Sequence, residues 1–457
     1  MPRHTGSLTD FFISPPIKPQ PLIPNSAIHA PLSVFPSPFP RRLFSQARQL
    51  QNTYNILYAR IATDVEFLDK VMGAVEGVGK VDDFVGQLWT GWKNLRDEGL
   101  VQPLHLGLFR SDYLLHAGLN NEPLSLKQVE FNTISSSFGP LSERTAALHR
   151  YLYATTSYYN VYPDMKPEDF PPNNTTAGLA RGTSGSACCL RCQKLRAKIL
   201  FVVQAGERNV FDQRWLEYEL LEKHSIHVIR QTFDQLAASA SLDPATRALL
   251  ISDDTEISTV YFRAGYTPTD FPTAAQYSTR FLLERSKAIK CPSIPLQLAG
   301  GKKIQQVLTQ PGVLERFLGD AVPAAQIDEL RDSWMAARVE APAGRRREQR
   351  YKEAIPAFLD DLSSRERQAW IAMELIVPPE GTGNYLVRAG SEGAQSAVKV
   401  DVVSELGIFG WALFGGQDGG MEEKEVGWLV RTKGKDSNEG GVATGFSVLD
   451  SLLLVDD

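Results

Sequence analysis

Two hydrophobic periods divide the chain. From Arg42 to about Leu100 apolar residues recur three and four apart, as in LFSQARQLQNTYNILYARIATDVEFLDKVM, which predicts helix. LHLGLFRSDYLLH then predicts a strand carrying Arg110, Ser111 and Asp112. In KQVEFNT the period is two: Val129, Phe131 and Thr133 alternate with Glu130 and Asn132. Successive side chains of a strand leave opposite faces, so Glu130 and Asn132 share one face and Phe131 takes the other. Helix is predicted to continue after Arg150 through YLYATTSYYN. KILFVVQ is a short apolar run of the kind found in buried parallel strands. A helix over 212–223, strands at 227–230 and in VYFRAGY, and a helix over 274–287 follow. This βαβ-like alternation predicts a smaller α/β unit inserted in the chain. From Lys302 on, helices give way to strands at 370–376, 398–404 and 411–414. The organisation read from this is a disordered, Pro-rich arm over 1–30, a first part over 31–197, an insertion over 198–300 and a last part over 301–457.

At 457 residues there is room for two or three domains. A formal net charge of −5 argues against a general nucleic-acid surface, which needs a basic face. No apolar run reaches the length of a transmembrane helix, and the N-terminus lacks the apolar core of a signal peptide. The expectation is a cytosolic protein with reduced thiols and no membrane or nucleic-acid partner. Cys188, Cys189 and Cys192 cluster, which raises a thiol- or metal-sensing reading, but no fourth ligand stands at zinc-site spacing.

The Glu130–Asn132 pair carries the most chemistry. It presents a carboxylate and a carboxamide about 6.5–7 Å apart along one strand face. Mg²⁺ prefers oxygen ligands and takes only one or two carboxylates from a protein. Ser135, Ser136, Ser137 and Gly139 follow at once with hydroxyls and backbone N–H groups. Taken alone, Glu-x-Asn on a strand is most often a solvated face. The whole string outweighs that: EFNTISSSFG resembles the E-I-N-T-I-S-A-S-F-G segment of eukaryotic glutathione synthetases. VQAGERNVFDQRWLEYELLEKHSIHVIRQTF, VYFRAGYTPTDF, RFLLERSKAIKCPSIPLQLAGGKKIQQVL, SELGIFGW, GWLVRTKGK and GGVATG resemble later segments of that family, in order and at its spacing.

The resemblance implies an α/β fold of ATP-grasp type with the insertion as a substrate-binding domain, in a cytoplasmic homodimer. It implies ligation of γ-glutamylcysteine to glycine with ATP and Mg²⁺, through an acyl phosphate. Glu130 and Asn132 match Mg²⁺ ligands. Arg110 and Arg431 match substrate arginines expected to serve catalysis as well. Ser135, Ser137, Glu207, Asn209, Gln213, Arg263 and Tyr266 match dipeptide contacts, although Ala264 replaces the Asp of the family's R-D-G-Y string. Lys302, Tyr351, Glu405 and Lys433 match nucleotide positions, with Met373, Glu374 and Ile376 in the adenine linker. Val442 and Ala443 match the loop near glycine, grouped with the nucleotide positions; Thr444 departs from the family there, which leaves glycine and a related acceptor such as β-alanine both open.

One family element is absent. A glycine-rich phosphate loop, V-L-K-P-Q-R-E-G-G-G-N-N, belongs some 35 to 45 residues after Lys302, with a Lys for phosphate and a Glu as third metal ligand. RVEAPAGRRREQR stands there instead, over 338–350. Joining the last two bases of each codon to the first base of the next lets this segment spell every residue of the missing loop. We read it as the loop translated out of frame. The same operation on 181–193, RGTSGSACCLRCQ, gives a looser match to a family helix, and the segment as written is expected to be irregular. A binding protein that keeps the dipeptide pocket without turnover is therefore the competing reading.

The polypeptide as translated is expected to be nearly inactive, because each lost transition-state charge contact removes roughly 2.7–4 kcal/mol. The frame-restored chain is expected to be active. ADP release dependent on γ-glutamylcysteine and glycine, measured on both, checks this; equal rates would refute it.

Overall fold

Alternation on the strand Ser125–Asn132 ties the core to the polar face that concerns function. The structure, a computed structural model, describes residues 12–13, 28–118, 122–156, 165–189, 198–252, 254–335, 357–358, 360–361, 363, 370–371, 373–389, 397–416, 419–437, 442 and 446–456. Phe131 is buried, and its ring stacks on Tyr58 at 3.9 Å between centroids, with Phe109 at 5.2 Å and Tyr54 at 5.6 Å. Tyr54 and Tyr58 belong to the helix Arg41–Thr63, where Leu43, Ala47, Leu50, Tyr54, Tyr58 and Ile61 form one buried stripe. Spacings of three and four place these residues on the same side of a helix. Burying that stripe against the sheet holds the helix, since propensity alone stabilises helices weakly.

Among the described residues, thirteen strands form one mixed sheet. Its order runs Gly383–Val387, Leu32–Ser33, Val448–Asp450, Met421–Gly434, Ala397–Phe414, His105–His116, Ile289–Cys291, Thr255–Phe262, Leu249–Ile251 and Ala240–Leu242. Lys198–Val202 pairs in parallel with both Thr255–Phe262 and Val228–Gln231. The strand His105–His116 is the branch point. One edge pairs antiparallel with Ala397–Phe414. The other edge is shared: His105 pairs in parallel with Lys290, whereas Arg110 to His116 pair antiparallel with Ser125–Asn132. The turn 133–138 leaves the sheet at this fork. Such divergence opens a crevice between strands, as at the switch points of other α/β sheets.

The expected elements of 42–100 resolve into the helices Arg41–Thr63, Val65–Met72 and Asp83–Glu98. The alternation after 198 is present as Lys198–Val202, Val210–His224, Val228–Gln231, Thr255–Phe262 and Ala274–Arg285. Four expectations change. The strands at 398–404 and 411–414 are one strand, Ala397–Phe414, because its pairing is continuous: residues 397–401 pair with Gly383–Val387 and Val402 to Phe414 with Met421–Gly434. The described residues of 370–376 form no strand; Met373 and Leu375 stay exposed, and just after them the Val377 carbonyl accepts from Ala117 N–H and Val377 donates its N–H to His116 Nδ1 at the end of the strand His105–His116. Segment 181–193 is helical as far as it is described, within Thr175–Cys189. Its small residues allow close packing: a Cβ on Gly178 would lie 2.3 Å from Val426, and one on Gly182 would lie 2.6 Å from Trp411. The N-terminal arm is not wholly irregular, since Phe12–Ile13 pairs with Ile28–His29. The helix after Arg150 ends at Thr155, and residues 157–160 of that expectation, like the phosphate-loop segment 338–350, lie outside the described residues.

Phe131→Ala is expected to destabilise the protein by about 3–5 kcal/mol, the range for emptying a buried aromatic site. Chemical denaturation measures it. A loss under about 1 kcal/mol would mean that the ring does not anchor this strand.

Candidate functional site

Strand parity and register bring distant residues onto one face. Arg110 is paired with Asn132, and Asp112 with Glu130. Glu405 is paired with Arg431 on the neighbouring strands. Arg110, Asp112, Glu130, Asn132, Glu405 and Arg431 therefore meet. Arg110 donates from Nε to Asp112 Oδ1 at 2.6 Å and from Nη2 to Oδ2 at 2.8 Å. Arg431 Nη2 donates to Asp112 Oδ2 at 3.1 Å and also to Glu405. Lys302 starts the helix Lys302–Leu308; its ammonium donates to the Val129 carbonyl and lies 3.7 Å from Glu130. Lys433, half-buried, follows Arg431 by two residues on the same strand.

Charge governs the ionisation of this face. Burial works to raise the Glu130 carboxyl, but Lys302, Arg431, Arg110 and the Asn132 amide outweigh it and hold it at about 2. Burial raises Glu405 above the usual carboxylate range against the pull of Arg431, with Asp112 and Glu130 adding to the rise. Burial alone would lower Arg431; Glu405, Asp112 and Glu130 instead keep it above its ordinary value, so it stays cationic. Lys433 is lowered, first by burial.

A second group lies across the crevice. Arg263 is buried and donates from Nη2 to Ser137 Oγ at 2.6 Å and from Nη1 to the Ser136 carbonyl at 3.0 Å. Arg110 Nη1 reaches the Ser137 carbonyl at 3.1 Å, so the serine turn lies between two arginines. Ser135 has φ 55° and donates to the Phe262 carbonyl at 3.2 Å. Glu207 accepts from Asn209 N–H and from Gln213 Nε2, each at 2.7 Å. Tyr266 lines a cavity of about 230 Å³ whose polar end is Glu130, Asn132 and Lys302. Its apolar side includes Tyr58, Phe84 and Leu88. Among the described residues, Nε of Arg263 and Nε of Arg431 are buried without a hydrogen-bond partner. Unmet buried donors are costly, and an anionic ligand would satisfy them.

The remaining expected positions are placed differently. Met373 lines a separate recess of about 20 Å³ with Trp334 and Gln305. Glu374 is exposed and Ile376 half-buried in that same segment. Val442 is buried in a core cluster with Ile199, Phe201 and Tyr261 and does not line the cavity. Tyr351 and Ala443 lie outside the described residues. The sequence places Asp112 on a strand and Asp212 at a helix start but gives neither of them, nor Asp270, a role in the site. Asp212 accepts from Phe138 N–H at 2.8 Å and Leu141 N–H at 3.2 Å, fixing the start of the helix Gly139–Thr155. Asp270 accepts from the N–H groups of Gly265, Tyr266 and Thr267, which shapes the loop where Ala264 departs from the family string. The i, i+2 spacing from Arg110 to Asp112 was the available signal for Asp112.

The donor set suits a hard cation. Glu130 is held ionised, and Asn132 adds an amide oxygen; among the described residues no group of three or more His, Cys, Asp or Glu forms a metal cage. One carboxylate with few other protein ligands fits Mg²⁺ that is bound chiefly through nucleotide phosphates.

Comparisons agree with this chemistry. Residues 9–338 and 348–454 match the family described as eukaryotic glutathione synthase, ATP binding domain; the match breaks at 339–347, inside the segment read as out of frame. Glutathione synthetase of Mus musculus is 38% identical over 452 residues, covering 93% of this chain and 90% of that one. The protein of that name from Dictyostelium discoideum is 34% identical, covering 93% and 91%. The glutathione synthetase large chain of Schizosaccharomyces pombe is 35% identical, covering 94% and 92%. A solved glutathione synthetase-like effector from Globodera pallida, in its apo form, shares the fold with a TM-score of 0.76 at 22% identity, over 97% of this chain and 93% of that one.

Glu130 tests the electrostatics. Its carboxyl is depressed to about 2, so its stabilising contribution is complete above the ordinary value of 4.5 and is lost as pH falls through 2. The stability difference between the parent and Glu130→Gln is expected to shrink as pH drops from 4.5 toward 2. Denaturation at a series of pH values measures it; a pH-independent difference would contradict the assignment.

Proposed function

Because this chain belongs to the eukaryotic glutathione synthetase family, we propose that it joins γ-glutamylcysteine to glycine at the expense of ATP, in a mixed α/β fold of ATP-grasp type. The observation that supports the site assignment is the meeting of Arg110, Glu130, Asn132, Glu405 and Arg431 on one face of the sheet. A carboxylate is a poor electrophile, so the dipeptide carboxylate first takes the γ-phosphoryl group of ATP. The glycine amine then attacks the acyl carbon, and phosphate leaves. Negative charge accumulates around the transferring group, and cations must surround it. Bound Mg²⁺ would supply part of that charge through the nucleotide phosphates. Glu130 and the Asn132 amide oxygen would hold that ion from the protein side. Lys302 and Lys433 meet the phosphates. Arg110 and Arg431 orient the reacting carboxylate.

The insertion over 198–300 carries the other wall. Glu207, Asn209, Gln213, Arg263 and Tyr266 all come from it, while Ser135 and Ser137 come from the turn at the fork. Arg263 is kept above its ordinary value: burial lowers it, but Tyr261, Asp212 and Glu207 prevail, which suits an anionic dipeptide. Tyr351, Met373, Glu374 and Ile376 are assigned to the nucleotide, with Val442 and Ala443 near glycine, on the resemblance. A homodimer in the cytosol rests on the resemblance too; among the described residues no helix is long and apolar enough to cross a membrane. The variant in which the polypeptide as translated binds the dipeptide but turns over poorly rests on the departure from the family loop at 338–350.

Glu130→Ala in the frame-restored chain should abolish turnover with folding intact, and unchanged rates at saturating Mg²⁺ would sink its assignment. Arg110→Ala should chiefly raise the dipeptide KM. A change confined to the ATP KM would place Arg110 at the wrong ligand.

A further inference from the structure

The buried carboxylate of Asp112 has no role in the scheme above, yet it touches three groups that do. Resting on the reading of Asn132 as a metal-facing amide and of Arg110 and Arg431 as substrate arginines, we propose that Asp112 is the positioning residue of this site. A single anion then sets the orientation of all three groups.

Asp112 is fully buried. Its two oxygens accept from both Nε and Nη2 of Arg110, a bidentate geometry that fixes the guanidinium plane. Arg110 Nη1 is thereby left to meet the Ser137 carbonyl, at the turn where the dipeptide is placed. Oδ2 of Asp112 also accepts from Arg431 Nη2, which reaches across the strand Ala397–Phe414. Without this buried anion, two guanidiniums would approach each other with only Glu405 and Glu130 to compensate.

The same carboxylate also orients Asn132. Its Nδ2 lies 3.0 Å from Asp112 Oδ2, 3.3 Å from Glu130 Oε1 and 3.4 Å from the Arg110 carbonyl. All three neighbours are acceptors, so only the NH₂ end of the amide suits that side. The amide oxygen is turned the other way, as a cation ligand requires. Outer partners that orient a ligand in this manner commonly matter about 10–100-fold for metal affinity or activity.

Gly407 completes the device. It is paired with Asp112 on the adjacent strand. A Cβ added there would stand 2.9 Å from Asp112 Oδ1 and 2.9 Å from Arg110 Cδ. The missing side chain leaves room for the carboxylate–guanidinium plane.

Two substitutions in the full chain test the proposal. Asp112→Asn keeps the shape and removes the charge; Gly407→Ala keeps the charge and displaces it. Both are expected to melt cooperatively, and calorimetry should show γ-glutamylcysteine affinity falling about tenfold or more. Crystal structures should show the Asn132 amide rotated and Arg110 turned from the Ser137 carbonyl. A merely structural role would leave affinity and both orientations unchanged in the folded fraction. A folded variant that binds within about twofold of the parent, or keeps both orientations, overturns the proposal. If the parent itself does not bind the dipeptide, the functional reading fails, and the two orientations alone decide the positioning role. If neither variant folds, Asp112 is a folding element and the proposal is wrong.

Discussion

Charge balance on a half-buried sheet face is the constraint on which the rest depends. Arg110, Arg431, Lys302 and Lys433 face Asp112, Glu130 and Glu405. Four cations against three carboxylates leave the face short of one negative charge. Burial makes that imbalance costly, since isolated charge in a low-dielectric site is expensive. An anionic ligand relieves it. The unmet Nε donors of Arg263 and Arg431 point the same way. The protein thus holds a preorganised electrostatic environment before any substrate arrives, and such preorganisation is the largest source of catalysis in phosphoryl and acyl transfer.

The fold meets that constraint by forking its sheet. His105–His116 pairs with Ile289–Cys291 at one end and with Ser125–Asn132 at the other. Glu130 and Asn132 can face the crevice because Phe131, one residue away, is locked against Tyr58 and Phe109 behind them. The serine turn leaves from the fork and is gripped by Arg110 on one side and Arg263 on the other. Core packing, strand parity and the chemical face are therefore one arrangement. A shift of register by one residue would exchange Phe131 with its polar neighbours and lose both.

What the sequence revealed follows from the range of each interaction. Glu130 and Asn132 were legible because parity is local. Arg110 and Asp112 share that parity, but the significance of Asp112 depends on Arg431, 319 positions away, and no local pattern reports it. The helix Thr175–Cys189 was misread at its end because Gly, Ser and Thr are poor helix formers. Gly178 and Gly182 are there to let the helix approach Val426 and Trp411, a tertiary reason. Segment 370–376 was misread in the opposite sense: its apolar run suggests a strand, but Met373, Glu374 and Leu375 all stay exposed. The break in the family match at 339–347 falls inside the segment 338–350, where the sequence departs from the family's phosphate loop and where codon arithmetic restores it.

The central claim is that the dipeptide carboxylate is activated by phosphoryl transfer on this face. γ-Glutamylcysteine carrying ¹⁸O in both oxygens of its cysteinyl carboxylate tests it directly, with ATP, Mg²⁺, glycine and the frame-restored chain. Acyl-phosphate chemistry moves one of those oxygens into phosphate when the amine displaces it and leaves the other in the new amide. Mass spectrometry of the released phosphate is predicted to show one ¹⁸O for each glutathione formed. Glutathione formed with unlabelled phosphate would contradict the account.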